Sequence, residues 1–336
     1  MERNQTGEEM VTINDIAKQA GVAKSTVSRY LNGGSVSQKT KEKLGLIVAE
    51  TGYIPNTFAQ SLKAKKTAII GTIIPRLDSY SANEVLISID EGLRKKNFQL
   101  LITNTNQNSE REIESIYSLA SQKVAGILLF ATVITEAHKK AIADVGIPVI
   151  LLGQQAEDLY SIVHDEYDAG FKIGKYATHL GHKNFLYLNV FEADVAVGQL
   201  RKKGVLDALK ETKDSTVKMI EISFTFEKAY QQVLEVLPSV KASYIICATD
   251  NIALAVLKAA HQLKLEIPDV FSLSGFGGYQ ITTVVSPTIT TVKYAYQELG
   301  QIAVKNLLLL LEGSTIPKKT VLKNKLIKNE STKKWN

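Results

Sequence analysis

Beyond residue 66 the chain alternates near-continuous apolar runs with stretches of helical period. The runs are TAIIGTIIP (67–75), FQLLITNT (98–105), VAGILLFAT (124–132), IPVILLG (147–153), NFLYLNVF (184–191), VKMIEIS (217–223), SYIICAT (243–249) and VFSLSGF (270–276). Amphipathic segments such as 84–97, 109–122, 166–180, 226–237 and 251–264 lie between them. Val/Ile/Leu-rich runs without polar alternation mark strands covered by helices on both faces. The spacing predicts βαβ units in doubly wound parallel sheets. There are too many strands for one comfortable sheet, so two α/β subdomains with a ligand cleft at the strands' carboxyl ends are expected.

Residues 11–66 carry no long β-run. Thr12 caps a first helix over Asn14 to Ala20, with Asp15 as a short-armed capping-box partner, and Gly21 breaks it. A second helix runs from about Lys24 to Leu31 and ends at Asn32, Gly33 and Gly34; a third starts from Ser37 as its cap and runs to about Glu50, before Gly52. Helix, Gly-containing turn, helix is the spacing of a helix-turn-helix. Lys24, Ser25, Ser28 and Arg29 would face outward on the second helix, with Val27 and Leu31 inward. Two readings fit this pattern: a helix that offers donors to a DNA groove, or a solvated three-helix mini-domain.

The 336 residues are 45% hydrophobic and 22% charged, enough for a substantial core in two or three domains. Acids flank Arg3, and no uncharged apolar stretch reaches eighteen residues, so neither a signal peptide nor a membrane span is expected and the location is cytoplasmic. The single cysteine, Cys247, cannot form an internal disulfide, which excludes Cys-rich metal and disulfide folds. Charge divides unevenly along the chain. Residues 1–66 hold ten Lys/Arg against six Asp/Glu, residues 67–317 twenty-three against twenty-seven, and residues 318–336 seven against one. A basic head on a mildly acidic body suggests a polyanion partner for the head, while the lysines at the end read equally as a disordered basic tail. No GxGxxG, GxxxxGK[ST], GxSxG or HExxH occurs, and the five histidines lack metal-ligand spacing. No catalytic residue, metal or cofactor is therefore expected, and an enzyme is the weaker reading.

The segment TINDIAKQAGVAKSTVSRYLNGGSVSQKTKEKLGLIVAETGYIPNTFAQSLKAKKTAIIG resembles the amino-terminal domain of the LacI/GalR family of bacterial transcription regulators. It carries the AG-V-x-x-x-T-V-S-R turn, the V-S-x-x-T-x-x-K third helix, the GY-x-PN bend and the A-x-S-L hinge in order. The resemblance continues through ATDNIALA, SLSGFGGY and ITTVKY. It implies an all-α helix-turn-helix head and an α/β effector domain like a type I periplasmic binding protein, built of two doubly wound parallel-sheet subdomains. The implied boundaries are a DNA-binding domain over 1–56, a hinge helix over 57–66, an effector-binding and dimerisation domain over 67–327 and a basic tail over 328–336. Three crossovers would split the effector domain into an N-subdomain (about 67–160 plus 293–318) and a C-subdomain (about 161–292 plus 319–327).

Carried over by position, Lys24, Ser25 and Arg29 would approach base edges in the major groove, Arg29 being suited to bidentate contact with guanine, and Thr26 would also touch the DNA. Ser28, Asn32, Ser37, Thr40, Tyr53 and Asn56 would grip phosphates. Leu62 resembles the wedge that kinks the minor groove at the operator's centre, with Lys63 along the groove wall. The family usually places Ser or Thr where this chain has Ala23, a departure worth about 1 kcal/mol of capping. The resemblance implies a homodimer on pseudopalindromic double-stranded operator DNA, released by a small sugar or sugar-phosphate effector.

For the effector, Arg76, Asp78, Ser79 and Tyr80 follow the body's first strand, Phe130 lies in the third apolar run, and Arg201 matches the arginine that the family uses on its ligand. Thr249 and Asp250 end SYIICAT, and Tyr294 and Tyr296 follow ITTVK. Many members carry an acid where this chain has Gly277, and its loss beside two arginines suits an anionic ligand. RLDS, HDEYDAG and GFGGY are most similar to repressors of sucrose utilisation, and RLDS with CATDNIAL to trehalose repressors, which points to a disaccharide or its phosphate. A periplasmic-type sugar-binding protein and a regulator that answers to a protein co-repressor remain as alternatives.

Overall fold

The computed structural model describes residues 11–31, 34–53 and 67–335. The chain divides into two compact units, Met1–Lys65 and Lys66–Asn336.

In the first unit α1 (Ile13–Ala20), α2 (Lys24–Leu31) and α3 (Gln38–Thr51) pack round Ile16, Ala17, Ala20, Val27, Leu44 and Ile47. Local chemistry sets the helix ends. The Thr12 amide and hydroxyl both donate to the Asp15 carboxylate, at 2.9 and 2.6 Å, and Gly21 ends α1 in the left-handed region. The Thr40 amide donates to the Ser37 hydroxyl at the start of α3, and Gly52 ends it as Gly21 ends α1. At the start of α2 the Ala23 carbonyl accepts from the amides of Thr26 and Val27.

The second unit holds two six-stranded sheets. Strands β1 (Ile69–Ile74), β2 (Gln99–Asn104), β3 (Gly126–Leu129), β4 (Val149–Leu152), β5 (Tyr160–His164) and β11 (Lys319–Leu322) form an all-parallel sheet in the order β11-β5-β4-β3-β1-β2. Strands β6 (Asn184–Asn189), β7 (Thr216–Glu221), β8 (Tyr244–Cys247), β9 (Ser272–Gly277), β10 (Thr290–Tyr294) and β12 (Asn324–Ile327) form the other, β12-β10-β9-β8-β6-β7, in which only β12 runs antiparallel. Helices α4 (Tyr80–Arg94), α5 (Ser109–Ser121), α6 (Glu136–Val145) and α11 (Tyr296–Leu311) belong to the first sheet's subdomain. Helices α7 (Glu166–His179), α8 (Lys202–Lys210), α9 (Phe226–Val236) and α10 (Asp250–Gln262) belong to the second. Apolar side chains cover both faces of the N-subdomain sheet, which is why its strands lack polar alternation.

The chain passes between subdomains after His164, after Tyr294 and after Leu322. These passages are stitched together: the Asp165 amide donates to the Leu322 carbonyl at 3.0 Å, and Asn324 Nδ2 to the Asp165 carbonyl at 2.9 Å. The expected boundaries therefore need correcting. Residues 161–164 and 319–322 pair in the N-subdomain sheet, and residues 293–294 in the C-subdomain sheet. The segments YSIVH, KTVL and NKLI are short and their neighbours are chosen by tertiary pairing, so no long apolar run announces them. Nor are residues 328–335 a loose basic tail. The Ser331 hydroxyl is buried and donates to the Leu273 carbonyl, the Trp335 amide donates to the Leu180 carbonyl, and the Trp335 ring lies 5.2 Å from that of His182.

Helices α7 and α8 meet through glycines. A Cβ on Gly170 would stand 2.1 Å from the Arg201 carbonyl oxygen, and one on Gly204 would stand 2.0 Å from that of Tyr167. Backbone cannot yield as a flexible side chain does, so Gly170→Ala should cost about 1–3 kcal/mol of body stability through overpacking. An unchanged denaturant midpoint would show that these helices are free to separate.

Candidate DNA-facing helix and effector cleft

Helix α2 buries Val27 completely and exposes Lys24, Ser25 and Arg29 on its far side, with Thr26 and Ser28 half-buried between. Lys24 and Ser25 lie one turn before Ser28 and Arg29, four residues apart in each pair, so the four share one side of the helix. Ser37 and Thr40 share a 2.7 Å hydroxyl hydrogen bond at the start of α3, where free amides suit an anion. Tyr53 is half-buried against the head's core. Asn32, Asn56, Leu62 and Lys63 lie outside the described residues.

In the body, one buried ion pair organises the cleft. Residues Val195–Arg201 form a π-helical turn, started by the Asp194 carboxylate accepting from the Val197 amide at 2.9 Å. Its last residue, Arg201, is 4% exposed. Nε and Nη2 donate to Glu166 Oε2 at 2.8 and 2.7 Å, Nη1 donates to the Ala248 carbonyl, and the Tyr294 hydroxyl donates to the same Glu166 oxygen at 2.6 Å. The guanidinium also lies 4.9 Å from the Phe276 ring centroid and 5.2 Å from that of Tyr294. Burial opposes the charge most strongly, but Glu166, Tyr294 and Tyr187 together outweigh it and the arginine stays protonated.

Above this pair lie two adjoining chambers of about 190 Å³ each, sharing Ser79, Ser81, Asp194, Arg201, Tyr294 and Tyr296. The first adds Arg76, Gln107, Thr132, Phe224, Thr249 and Asn251; the second adds Phe130, Leu152, Gln154, His164 and Leu299. Arg76, Gln107, Phe130, Thr132, Phe224 and Thr249 sit just past strands' carboxyl ends, and Leu152, His164 and Tyr294 are the last residues of theirs, the position where open α/β sheets bind ligands. A larger open groove of about 910 Å³ runs over α4 and β2, but its walls come from one subdomain, and its charged members Asp90, Glu91, Arg94 and Lys95 are neighbours along α4 and its end, with Arg94 paired to Asp90. Polar contacts cross the cleft. Gln154 Nε2 approaches Asp194 Oδ1 at 3.4 Å, the Gln280 amide donates to the Tyr80 hydroxyl at 3.1 Å, and the Tyr80 and Tyr279 rings lie 4.3 Å apart.

Of the expected effector residues, Arg76, Ser79, Phe130, Arg201, Thr249, Tyr294 and Tyr296 line the chambers, while Asp78, Tyr80, Asp250 and Gly277 do not. Asp78 is exposed at the rim, 3.3 Å from Arg76 Nε. Asp250 is fully buried and accepts from the Tyr279 amide at 2.9 Å and the Thr291 hydroxyl at 2.7 Å. Gly277 and Gly278 adopt φ of +143° and +68° so that the turn reaches that carboxylate; a Cβ on Gly277 would strike the Tyr279 ring at 2.3 Å. Gly277 is thus a turn requirement, and Asp250 is the anchor of that turn.

Residues 12–56 match the family described as bacterial regulatory proteins, lacI family, and residues 175–332 match a periplasmic binding protein-like domain. The sucrose operon repressor of Staphylococcus xylosus is 38% identical over 314 residues, covering 93% of this chain and 98% of that protein. The chain belongs to the lacI family of bacterial regulatory proteins. Catabolite control protein A of Priestia megaterium is 27% identical over 96% of this chain and 99% of its own length. The HTH-type transcriptional regulator TreR of Escherichia coli is 27% identical over 93% of this chain and 97% of its own length. The fold matches the lac repressor dimer solved with operator and the anti-inducer ONPF, with a TM-score of 0.88 at 24% identity over 97% of this chain and 100% of that one. Membership in this lacI family makes the chain a DNA-binding regulator, not an enzyme.

Several walls of this family member's cleft were not expected from sequence. Asp194 is visible in hindsight as the polar residue ahead of the Arg201 segment, and Asn251 as the neighbour of Asp250. Gln107, Gln154 and Phe224 give no local signal, because only the folded sheets bring their loops together.

Two buried groups give opposite pH dependences. Burial raises the Asp250 pKa to about 6, so it adds stability as pH falls from neutral through about 6 toward the unfolded value near 3.8. Burial, then the Arg201 charge, lowers the His164 pKa to about 4, so its contribution is present above about 6.5 and is lost as pH falls toward 4. Replacing Asp250 by Asn removes only the first. Lowering pH from 8 to 5 should move the stability difference between wild type and Asp250→Asn in favour of wild type, read from denaturant midpoints; a difference that stays constant would refute the assignment.

Proposed function

We propose that this chain is a homodimeric repressor of a sucrose-type sugar operon, acting in the cytoplasm and released from a pseudopalindromic operator by a phosphorylated disaccharide. The observation that carries the ligand class is Arg76. Its side chain is 13% exposed, and its Nη1 is buried without a hydrogen-bond partner while lining the first chamber. A guanidinium held that way is completed by an anion, and phosphate is the acceptor that its planar donors fit. Arg76 Nε has only the exposed Asp78 carboxylate beside it, at 3.3 Å, whereas Arg201 is neutralised by the buried Glu166 and reads as the floor under the ligand. Thr249, Asn251 and Gln107 offer sugar hydroxyls their partners, and Phe276 and Tyr296 offer flat apolar faces. The relationship to the Staphylococcus xylosus sucrose operon repressor favours a sucrose-type effector, with trehalose type next.

On the DNA side, the exposed row Lys24, Ser25 and Arg29 supports groove reading by α2. In this reading Leu62 supplies the minor-groove wedge, and effector binding favours a subdomain arrangement in which paired wedges no longer seat. Reciprocity then requires the effector to bind the DNA-free state more tightly, by about 1–3 kcal/mol.

Two measurements test the halves separately. Arg29→Ala should lose discrimination at one base pair of each half-site, by roughly 1–3 kcal/mol, in binding assays against singly substituted operators. An equal loss on every sequence would make Arg29 a phosphate contact. Arg76→Ala should leave operator affinity intact and weaken release by sucrose 6-phosphate at least tenfold, about 1.4 kcal/mol or more. Normal release by that variant would refute the anionic effector.

A further inference from the structure

The second chamber contains a buried polar atom without a partner. His164 ends β5, immediately before the chain first leaves the N-subdomain, and is 9% exposed. Its Nε2 is buried and makes no hydrogen bond. The ring is fixed from two sides, 4.7 Å from the Tyr294 ring and 5.7 Å, edge-on, from that of Tyr296. Burial, with the Arg201 charge behind it, lowers the ring's pKa to about 4, so at neutral pH it is an uncharged imidazole. Nearby, Arg201 and the Tyr294 hydroxyl both donate to Glu166, and Asp194 Oδ1 accepts from the Val197 amide and faces Gln154 Nε2.

This nitrogen lines the chamber together with Phe130, Leu152, Gln154 and Tyr296. Aromatic faces with a few fixed polar atoms are what a hexose ring fits: its C–H face packs on the rings and its hydroxyls find the polar atoms. A buried imidazole nitrogen without a partner has given up its hydration for nothing until a ligand completes it. We infer that His164 is a specificity-determining ligand contact, whose Nε2 hydrogen-bonds a hydroxyl of the effector's second hexose, the ring that carries no phosphate. The inference rests on the phosphorylated-disaccharide reading above and deepens it. Arg76 selects the charge in one chamber, and His164 selects the second sugar in the other. A site built round a hydroxyl discriminates steeply against ligands that lack it, because its own polar atom is then left unpaired.

Calorimetric titration of the full-length protein with sucrose 6-phosphate and glucose 6-phosphate tests this. Glucose 6-phosphate keeps the phosphorylated ring and lacks the second one. His164→Phe, which keeps an aromatic ring and removes the nitrogen, should weaken sucrose 6-phosphate about tenfold and leave glucose 6-phosphate unchanged. His164→Gln, which restores a hydrogen-bonding group, should recover part of the loss, and Arg76→Ala should weaken both ligands. Thermal unfolding of each variant confirms that the fold is retained; if His164→Phe does not fold, the same split between ligands is read from His164→Gln and His164→Asn. Equal weakening of both ligands, or of neither, overturns the role of His164 while the effector reading stands. Failure of the wild type to bind either sugar phosphate overturns the effector reading and this inference with it.

Discussion

The buried pair of Arg201 and Glu166 is the constraint on which the body's architecture turns. Glu166 opens α7 just past the first passage between subdomains, Tyr294 closes β10 just before the second, and Arg201 ends the π-helical turn between them in sequence. One carboxylate oxygen accepts from both partners. Removing either charge would leave the other buried and uncompensated, which is far costlier than losing an exposed pair. The glycine contacts of α7 and α8 belong to the same arrangement, since only backbone without Cβ lets α7 approach the Arg201 carbonyl so closely.

With that floor fixed, the rest of the cleft is free to differ in chemistry between its chambers. Arg76 brings a further positive charge to one, while His164, Phe130 and Leu152 give the other a neutral imidazole and apolar walls. The contacts that span the cleft, Gln154 to Asp194 and Tyr80 to Tyr279 and Gln280, are few, and some are made by residues beside the ligand walls. A ligand seated between them bears directly on how the subdomains meet, which is the physical requirement for an effector to shift a two-state equilibrium.

The Asp250 turn illustrates how a residue beside a cleft can be mistaken for part of it. Its carboxylate follows a strand's carboxyl end, as ligand contacts do, yet its oxygens are taken by Tyr279 and Thr291. Gly277, next to it in space, is required by backbone conformation. Position in the sequence cannot separate these roles, because both depend on which way a side chain finds its partner.

The sequence by itself determined the elements and the class. Long Val/Ile/Leu runs, glycines after helices, and Thr12 and Ser37 ahead of them act through local sterics and short-range hydrogen bonds, and each is readable within a few residues. It also carried the motifs of the head and the arginines of the cleft. Tertiary structure alone decided that YSIVH and KTVL share one sheet edge, that residues 328–335 fold back onto the C-subdomain, and that Gln107 and Phe224 line one chamber of the cleft while Gln154 and His164 line the adjoining one. Those outcomes depend on pairing partners up to 160 residues apart, as in the Lys318–Asp158 contact, and no local pattern encodes a neighbour at that distance.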